Sequence, residues 1–237
     1  MTASALVVAG GSGERMRRSG RSVDKPLVRV GGLPLIEHNV IALLKHGFLD
    51  VTVAVAASAT DLQVFAKTRC AELVAAAGGT LAVIVEDPPL GSIGAAALME
   101  VDHDETLVVN GDNLTTLDLA AVVDSHRASG AAMTVAVHDE PFEMPFGEIA
   151  LDGDRVVAYR EKPTYRITIC TAVTVLGRAA VERITPGENI GLPALANRLL
   201  EADMSVHAHA HDAPWIDVND LAAASRAEQL LFRSARA

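Results

Sequence analysis

The alternation of short apolar runs with longer segments of helical spacing constrains the fold of this chain more than any other feature. Up to residue 138, the runs with the length and β-branched composition of buried strands are 5–9, 50–55, 81–86, 106–110 and 132–137. The segments with helical spacing are 33–47, 60–79, 93–101 and 117–129. Strands that alternate with helices predict an α/β fold, a three-layer Rossmann-like sandwich around a mostly parallel, mixed central sheet. Thr60 is expected to cap the second helix and Gly78 to end it.

After residue 138 the strands become shorter and pair locally. Residues 147–163 contain two strand-like runs around Asp152-Gly153-Asp154, which predicts a β-hairpin. The other predicted elements are strands at 167–176, 205–211 and 214–220 and helices at about 190–202 and 220–233. No repeat or linker interrupts the chain, so we predict a single domain over residues 1–237.

Composition excludes several functional classes. The formal net charge of −10 argues against nucleic-acid binding, which needs a basic surface. No apolar run reaches the roughly 18 residues of a membrane span. The N-terminal apolar run breaks at Gly10 and does not read as a signal peptide, so we expect a cytoplasmic protein. The two cysteines, Cys70 and Cys170, cannot build a disulfide framework.

A small basic island stands out in this acidic chain, directly after the first predicted strand. Its residues are Arg15, Arg17, Arg18, Arg21, Lys25 and Arg29, with Asp24 as the one acid among them. The preceding glycines at 10, 11 and 13 would offer bare backbone N–H groups to phosphate. Neither the Walker pattern nor the dinucleotide pattern fits, because Met16 stands where the latter needs glycine. The island therefore indicates a site for a small, highly charged anion.

Acidic residues follow two other predicted strands. Asp112 comes after the strand 106–110, and Asp217 closes a short apolar segment late in the chain. Ligands of parallel sheets gather at such strand ends, and Mg²⁺ prefers carboxylate oxygens together with phosphates and water. A turn or a helix cap is the alternative interpretation of Asp112. Glu161 and Lys162 precede Pro163, where a solvated strand end is the alternative.

Five short motifs, taken in their order along the chain, resemble those of the sugar-1-phosphate nucleotidyltransferases in their short bacterial form. They are Gly-Gly-Ser-Gly-Glu-Arg-Met (10–16), Lys-Pro-Leu (25–27), Asn-Gly-Asp (110–112), Glu-Lys-Pro (161–163) and Trp-Ile-Asp (215–217). The resemblance implies transfer of a nucleoside monophosphate from a nucleoside triphosphate to a sugar 1-phosphate. It also implies a nucleotide-binding half at about 1–138 and a sugar-phosphate-binding half at about 139–237.

The resemblance assigns roles to individual residues. The catalytic cations would be Arg15, Lys25 and Lys162. The residues around the nucleotide would be Ala9, Gly10, Gly11, Gly13, Glu86 and Gly91. The sugar phosphate would meet Gly147, Glu161 and Lys162, and Mg²⁺ would be held by Asp112 and Asp217. GTP or UTP is slightly favoured as donor, and a homodimer is expected from general frequencies alone.

Several alternatives stay open. Cys-Thr-Ala at 170–172 departs from the Asn-Ala-Gly common in the family near the sugar, so the acceptor is open. Phosphocholine, an isoprenoid phosphate or molybdopterin would be a non-sugar acceptor. A glycosyltransferase would need an Asp-x-Asp motif at a strand end, and the only such spelling near a likely site, 102–104, precedes its strand. A non-catalytic nucleotide-binding module is a further alternative. A dinucleotide-dependent oxidoreductase is disfavoured, because it would need the missing third glycine.

Overall fold

The structure is a computed structural model that describes residues 3–10, 24–100 and 103–234. In this part of the chain the strands are β1 Ser4–Val8, β2 Arg29–Val30, β3 Leu33–Pro34, β4 Asp50–Ala56, β5 Thr80–Glu86, β6 Glu105–Asn110, β7 Asn113–Thr115, β8 Met133–Glu143, β9 Glu148–Asp152, β10 Arg155–Arg160, β11 Thr164–Gly177, β12 Val206–Ala210 and β13 Trp215–Asp217. No helix in the described ranges is long and apolar enough to cross a membrane.

The helices of the same ranges are α1 Leu35–Lys45, α2 with its two α-helical parts Thr60–Phe65 and Ala71–Ala76, α3 Leu119–Ser129, α4 Arg178–Val181, α5 Leu192–Glu201 and α6 Leu221–Ser234. A π-helical turn, Ala66–Cys70, joins the two parts of α2. Two short 3₁₀ helices lie at Lys25–Leu27 and Gly94–Leu98.

Seven strands form the central sheet in the order β12-β8-β11-β6-β1-β4-β5. Six of them run in one direction, and β11 alone is antiparallel to its neighbours β6 and β8. The predicted mixed, mostly parallel sheet is therefore confirmed. Strands from both predicted halves of the chain join this one sheet.

The sheet is the middle of three layers because its strands are apolar on both faces. On β1, Ala5 and Val7 pack with α1, α2 and α3, whereas Leu6 packs with α4, α5 and the 3₁₀ helix Gly94–Leu98. All three side chains are fully buried. This alternation places the helices on opposite faces of the sheet, as the sequence pattern predicts.

Three local predictions were wrong. The first helix begins at Leu35 rather than at residue 33, because Leu33 and Pro34 pair with β2 as a short strand. Ala59, not Thr60, occupies the cap position of α2. The segment 93–101 forms a 3₁₀ helix over Gly94–Leu98 rather than an α-helix, and Gly94 packs its backbone against the carbonyl oxygen of Glu188.

The predicted hairpin is confirmed as β9 and β10, which pair with each other in a separate two-stranded sheet. The strand that follows, β11, begins earlier than the sequence predicts and continues as a long arm paired with β8. Its register shifts between Cys170 and Thr174, where Ala172 has a left-handed φ of +59°. A left-handed non-glycine residue at an irregularity of this kind costs conformational energy and marks a local constraint.

Candidate active site

Lys25 lies between the two aspartates that the sequence analysis singles out. Its Nζ is 2.6 Å from Asp112 Oδ2 and 3.0 Å from Asp217 Oδ1. The same ammonium group donates to Asn219 Oδ1, and Asn219 Nδ2 donates back to Asp217 Oδ2. The Lys25 side chain is 14% exposed, and the aspartate side chains are 31% and 41% exposed. The cluster is thus partly shielded yet reachable from solvent.

Pairing of backbone brings the two aspartates together. Gly111 N donates to Val8 O at 2.8 Å, which holds the turn after β6 beside the end of β1. The strands β7 and β13 then pair antiparallel, with Asp217 opposite Asn113. Val218 N donates to Asp112 O at 3.0 Å and continues this ladder. Two aspartates from distant parts of the sequence therefore meet at the carboxyl edge of the sheet.

Asn113 ties the carboxylate pair to the irregular part of β11. The Asn113 side chain is buried, and its Nδ2 donates to Thr171 O at 3.1 Å. Thr171 Oγ1 donates to Ala136 O and lies 2.9 Å from His211 Nε2. Burial lowers the pKa of His211, with the nearby His138 as a second cause. Contacts with Asn113, Ala136 and His211 thus hold Thr171, the residue before the left-handed Ala172.

Glu86 and Gly10 lie together at the neighbouring strand ends. A Cβ on Gly10 would overlap Glu86 Oε2, so a larger residue at this position would force the carboxylate to move. Glu86 is 3% exposed, and burial raises its pKa. Leu90 N donates to Glu86 Oε2 at 3.3 Å, whereas Oε1 has no hydrogen-bond partner among the described residues. A buried, half-satisfied carboxylate of this kind needs a donor from elsewhere.

Of the other residues predicted for the nucleotide site, the structure describes Ala9 and Gly91. Ala9 is buried and donates its N–H to Ala54 O at 2.8 Å, so its amide is used within the fold. Gly91 has a φ of +79°, and a Cβ there would overlap Ile190 O. Gly11, Gly13 and Arg15 lie outside the described residues.

Tyr159 connects two of the three residues predicted for the sugar phosphate. A Cβ on Gly147 would overlap the Tyr159 hydroxyl, and that hydroxyl donates to Glu161 Oε2 at 3.1 Å. Lys162 follows with an unusual φ of +41° and an exposed side chain. Within the described ranges, no hydrogen bond joins Lys162 to Asp112 or Asp217.

The sequence analysis assigns no role to four residues of this region, Asn113, Tyr159, Thr171 and Asn219, although Thr171 lies in the stretch 170–172 that departs from the family pattern. Asn219 stands two residues after Asp217, a spacing that puts both side chains within reach of one cation. Asn113 follows Asp112 directly. Those two positions carry a local signal, whereas Tyr159 and Thr171 become visible only through their tertiary contacts.

The donor set of the cluster suits a hard divalent cation. Asp112 and Asp217 offer carboxylate oxygens, and Lys25 already places a positive charge between them. Mg²⁺ is commonly bound by one or two carboxylates and completes its coordination with water and substrate phosphate. In the described part of the chain no group of three or more acidic, histidine or cysteine side chains could hold a metal unaided. Asp112 and Asp217 would thus supply two of the ligands of such a cation, and water and substrate phosphate would supply the rest.

Solved structures share this fold. The inositol-1-phosphate CTP transferase from T. maritima superposes with a TM-score of 0.71 at 19% identity, covering 98% of this chain and 95% of that chain. HddC from Yersinia pseudotuberculosis, complexed with GMP-PN, has a TM-score of 0.71 at 17% identity, covering 97% and 100%. At these identities the likeness defines the fold class.

Sequence comparisons define the family. The nucleotidyl transferase family model matches residues 4–185. The mannose-1-phosphate guanylyltransferase of Mycobacterium tuberculosis is 28% identical over 228 residues, covering 90% of this chain and 60% of that protein. The UTP–glucose-1-phosphate uridylyltransferase of Synechocystis sp. is 25% identical over 230 residues, covering 90% and 59%. The chain therefore belongs to the nucleotidyl transferase family, and it spans about 60% of the length of these curated relatives.

Proposed function

We propose that this protein transfers a nucleoside monophosphate from a nucleoside triphosphate to a sugar 1-phosphate. A phosphate oxygen of the acceptor forms a bond to the α-phosphorus, the α–β anhydride bond breaks, and pyrophosphate leaves. The observation that carries the proposal is the convergence of Lys25, Asp112 and Asp217 at the carboxyl edge of the sheet. Membership of the nucleotidyl transferase family and the curated sugar-1-phosphate relatives support it.

In this proposal Asp112 and Asp217 hold Mg²⁺. The bound cation would supply charge neutralisation at the phosphate oxygens and a template for the reacting groups. Lys25 then turns its ammonium group from the carboxylates to the triphosphate, where negative charge develops on the leaving pyrophosphate. No general base is needed, because the second pKa of a phosphate monoester is about 6. These residues therefore act by positioning and charge neutralisation.

The environment of Glu86 favours GTP as the donor. A guanine edge presents adjacent N1–H and N2–H donors, which a carboxylate with a free oxygen can accept. Uracil presents one N–H between two carbonyl oxygens, and these would face the buried carboxylate unfavourably. Sites with buried polar groups discriminate strongly against ligands that leave them unpaired. Glu86 Oε1, buried without a partner among the described residues beside Gly10, is such a group.

The base of the hairpin is proposed as the acceptor site. Glu161 and Tyr159 lie together at Gly147, and the exposed Lys162 follows them in the chain. A carboxylate accepts hydrogen bonds from sugar hydroxyls, and an ammonium group binds phosphate. This combination matches a phosphorylated polyol better than an isoprenoid phosphate, whose tail offers no donor to Glu161.

A pyrophosphate-release assay tests the proposal. The purified chain is incubated with Mg²⁺ across a grid of nucleoside triphosphates and sugar 1-phosphates, with phosphocholine and an isoprenoid phosphate as further acceptors. We expect release only with a sugar 1-phosphate, and fastest with GTP. Release with a non-sugar phosphate alone would move the proposal to that acceptor. No release with any pair, while triphosphate still raises the melting temperature, would favour a non-catalytic binding module.

A further inference from the structure

The loop that follows Glu86 is held by a segment from the other half of the chain. Ile190 N donates to Leu90 O at 3.0 Å, and Ile93 N donates to Ile190 O at 3.2 Å. We name residues 188–192 the anchor segment and residues 89–93 the base loop. Two backbone hydrogen bonds thus pair the anchor segment with the base loop, although they are far apart in sequence.

Side chains and close backbone contacts strengthen this pairing. Asn189 Nδ2 donates to Pro89 O at 2.7 Å, and Leu192 N donates to Ser92 Oγ at 2.9 Å. A Cβ on Gly91 would overlap the carbonyl oxygen of Ile190, so the base loop and the anchor segment are in direct backbone contact here. Every residue from Pro89 to Ile93 therefore either bonds to the anchor segment or lies against it.

Leu90 links the anchor segment to Glu86 through two hydrogen bonds of its backbone. Its carbonyl oxygen accepts from Ile190, while its own N–H donates to Glu86 Oε2. The direction of the Glu86 carboxylate depends on where Leu90 is held, and so does that of its Oε1, which has no hydrogen-bond partner in residues 3–10, 24–100 and 103–234. A shift of the base loop would move the Leu90 N–H and thereby reorient the carboxylate.

The anchor segment is itself rigidly placed. Glu188 forms two hydrogen bonds with Arg198 of α5, and Arg198 also donates to Arg183 O at 2.6 Å. These bonds from Arg198 lower the pKa of Glu188 to about 2. Ile190 is buried in the same core as Leu195 of α5. The segment can thus act as a fixed support for the base loop.

We propose that the anchor segment is a positioning element for selection of the nucleobase, with Asn189 and Ser92 as its positioning residues. This inference rests on the proposed function, in which Glu86 accepts from the guanine edge. Recognition through a buried carboxylate needs its oxygens fixed to within a fraction of an ångström. Asn189 and Ser92 act through Leu90 and do not contact the nucleotide.

The test compares GTP with ITP, which lacks the 2-amino group of guanine. Asn189→Ala and Ser92→Ala are made in the full chain, and dissociation constants for both nucleotides are measured by calorimetry without acceptor. The wild-type protein is expected to prefer GTP. Each variant should bind GTP about two- to tenfold more weakly, as expected for loss of one neutral hydrogen bond, with a smaller GTP/ITP preference. Steady-state kcat should change less than KM for GTP.

Two controls separate positioning from general stability. Ser92→Thr keeps the oxygen that Leu192 N binds and should restore the GTP/ITP preference. Asn197→Ala makes the same change at an exposed asparagine of α5 and should leave the preference unchanged. Unchanged GTP/ITP preference in both alanine variants, or equal binding of the two nucleotides by the wild type, would overturn the inference. Absence of pyrophosphate release with every substrate pair would instead contradict the proposed function, while the binding preference would still report on the base loop.

Discussion

Lys25 Nζ lies 2.6 Å from Asp112 Oδ2, and the same nitrogen reaches Asp217 Oδ1 at 3.0 Å. One ammonium group therefore bridges two carboxylates at the edge of the sheet where β1 and β6 end and offsets part of their negative charge. Carboxylates this close repel one another unless a positive charge stands between them. In the proposed reaction Asp112 and Asp217 would hold Mg²⁺, whose charge would take the place of the Lys25 ammonium group, and Lys25 would be available to the triphosphate.

Replacing either aspartate by asparagine should abolish most turnover. Asp112→Asn and Asp217→Asn each remove one anionic ligand, and we expect kcat to fall about 100-fold or more. Pyrophosphate release with saturating Mg²⁺ measures the effect, and the melting temperature checks the fold. Asp154→Asn, in the exposed hairpin turn, is the matched control. Near-wild-type turnover in either variant would show that the residue does not hold the metal.

Removing the Lys25 charge should strengthen metal binding while it weakens catalysis. In Lys25→Met the two carboxylates lose their common partner, so Mn²⁺ should bind about tenfold more tightly in the absence of nucleotide. Electron paramagnetic resonance of free Mn²⁺ gives this affinity. The exposed Lys67→Met serves as the charge control. Equal or weaker Mn²⁺ binding by Lys25→Met would mean that Asp112 and Asp217 are not the cation ligands.

Glu86→Gln should lose selectivity for guanine. Glutamine keeps the shape but replaces one acceptor oxygen by a donor, and a charged hydrogen bond contributes about 1.5–3 kcal/mol, or roughly 10- to 150-fold. The ratio of kcat/KM for GTP to that for UTP should fall accordingly. An unchanged ratio would place recognition of the base elsewhere.

The same carboxylate should also set a pH dependence. Burial raises the pKa of Glu86 above its ordinary 4.5, so the group takes up a proton at a higher pH than a solvated glutamate. The protonated form no longer accepts at both oxygens, and KM for GTP should therefore rise as the pH falls toward this raised pKa. A pH profile of kcat/KM for GTP measures it, and Glu86→Gln should lack this acid limb. A profile shared by wild type and Glu86→Gln would exclude Glu86 as its source.

Lys162→Ala should act on the acceptor alone. The exposed ammonium group at the hairpin base is proposed to bind the sugar phosphate, and its loss should raise KM for the sugar phosphate about tenfold or more. KM for the triphosphate should stay within about twofold of wild type. Lys67→Ala provides the surface control. If KM for the triphosphate rises instead, Lys162 belongs to the nucleotide site.

The fold could largely be predicted from the sequence, because the spacing of apolar residues and the local composition indicate most helices and strands. β1 is apolar on both faces, which only a strand buried between two layers requires. The family resemblance pairs Asp112 with Asp217, but strand order alone does not, because Asp112 follows β6 whereas the antiparallel pairing of β13 with β7 brings Asp217 beside it. The boundaries of α1 and the 3₁₀ helix Gly94–Leu98 could not be predicted, because tertiary pairing with β2 and with Glu188 determines them.

Supporting contacts of the site carry no comparable signal in the sequence. Thr171 reads as an ordinary strand residue, yet its carbonyl oxygen receives Asn113 and its hydroxyl lies beside His211. Asn189 reads as a loop residue, yet it donates to the loop that follows Glu86. Such pairs join segments that are distant in sequence and have no shared period, so only the folded chain reveals them. The division into two functional halves and the roles of the individual site residues stay predictions.

The most direct test of the central claim follows the α-phosphate. The chain is incubated with Mg²⁺, GTP labelled at the α-phosphorus and the sugar 1-phosphate preferred in the substrate grid. We predict that the label moves into a nucleoside diphosphate sugar and that one pyrophosphate is released for each molecule of this product. Label recovered in GDP, with release of inorganic phosphate, would show cleavage at the γ-phosphate and would contradict the proposed nucleotidyl transfer.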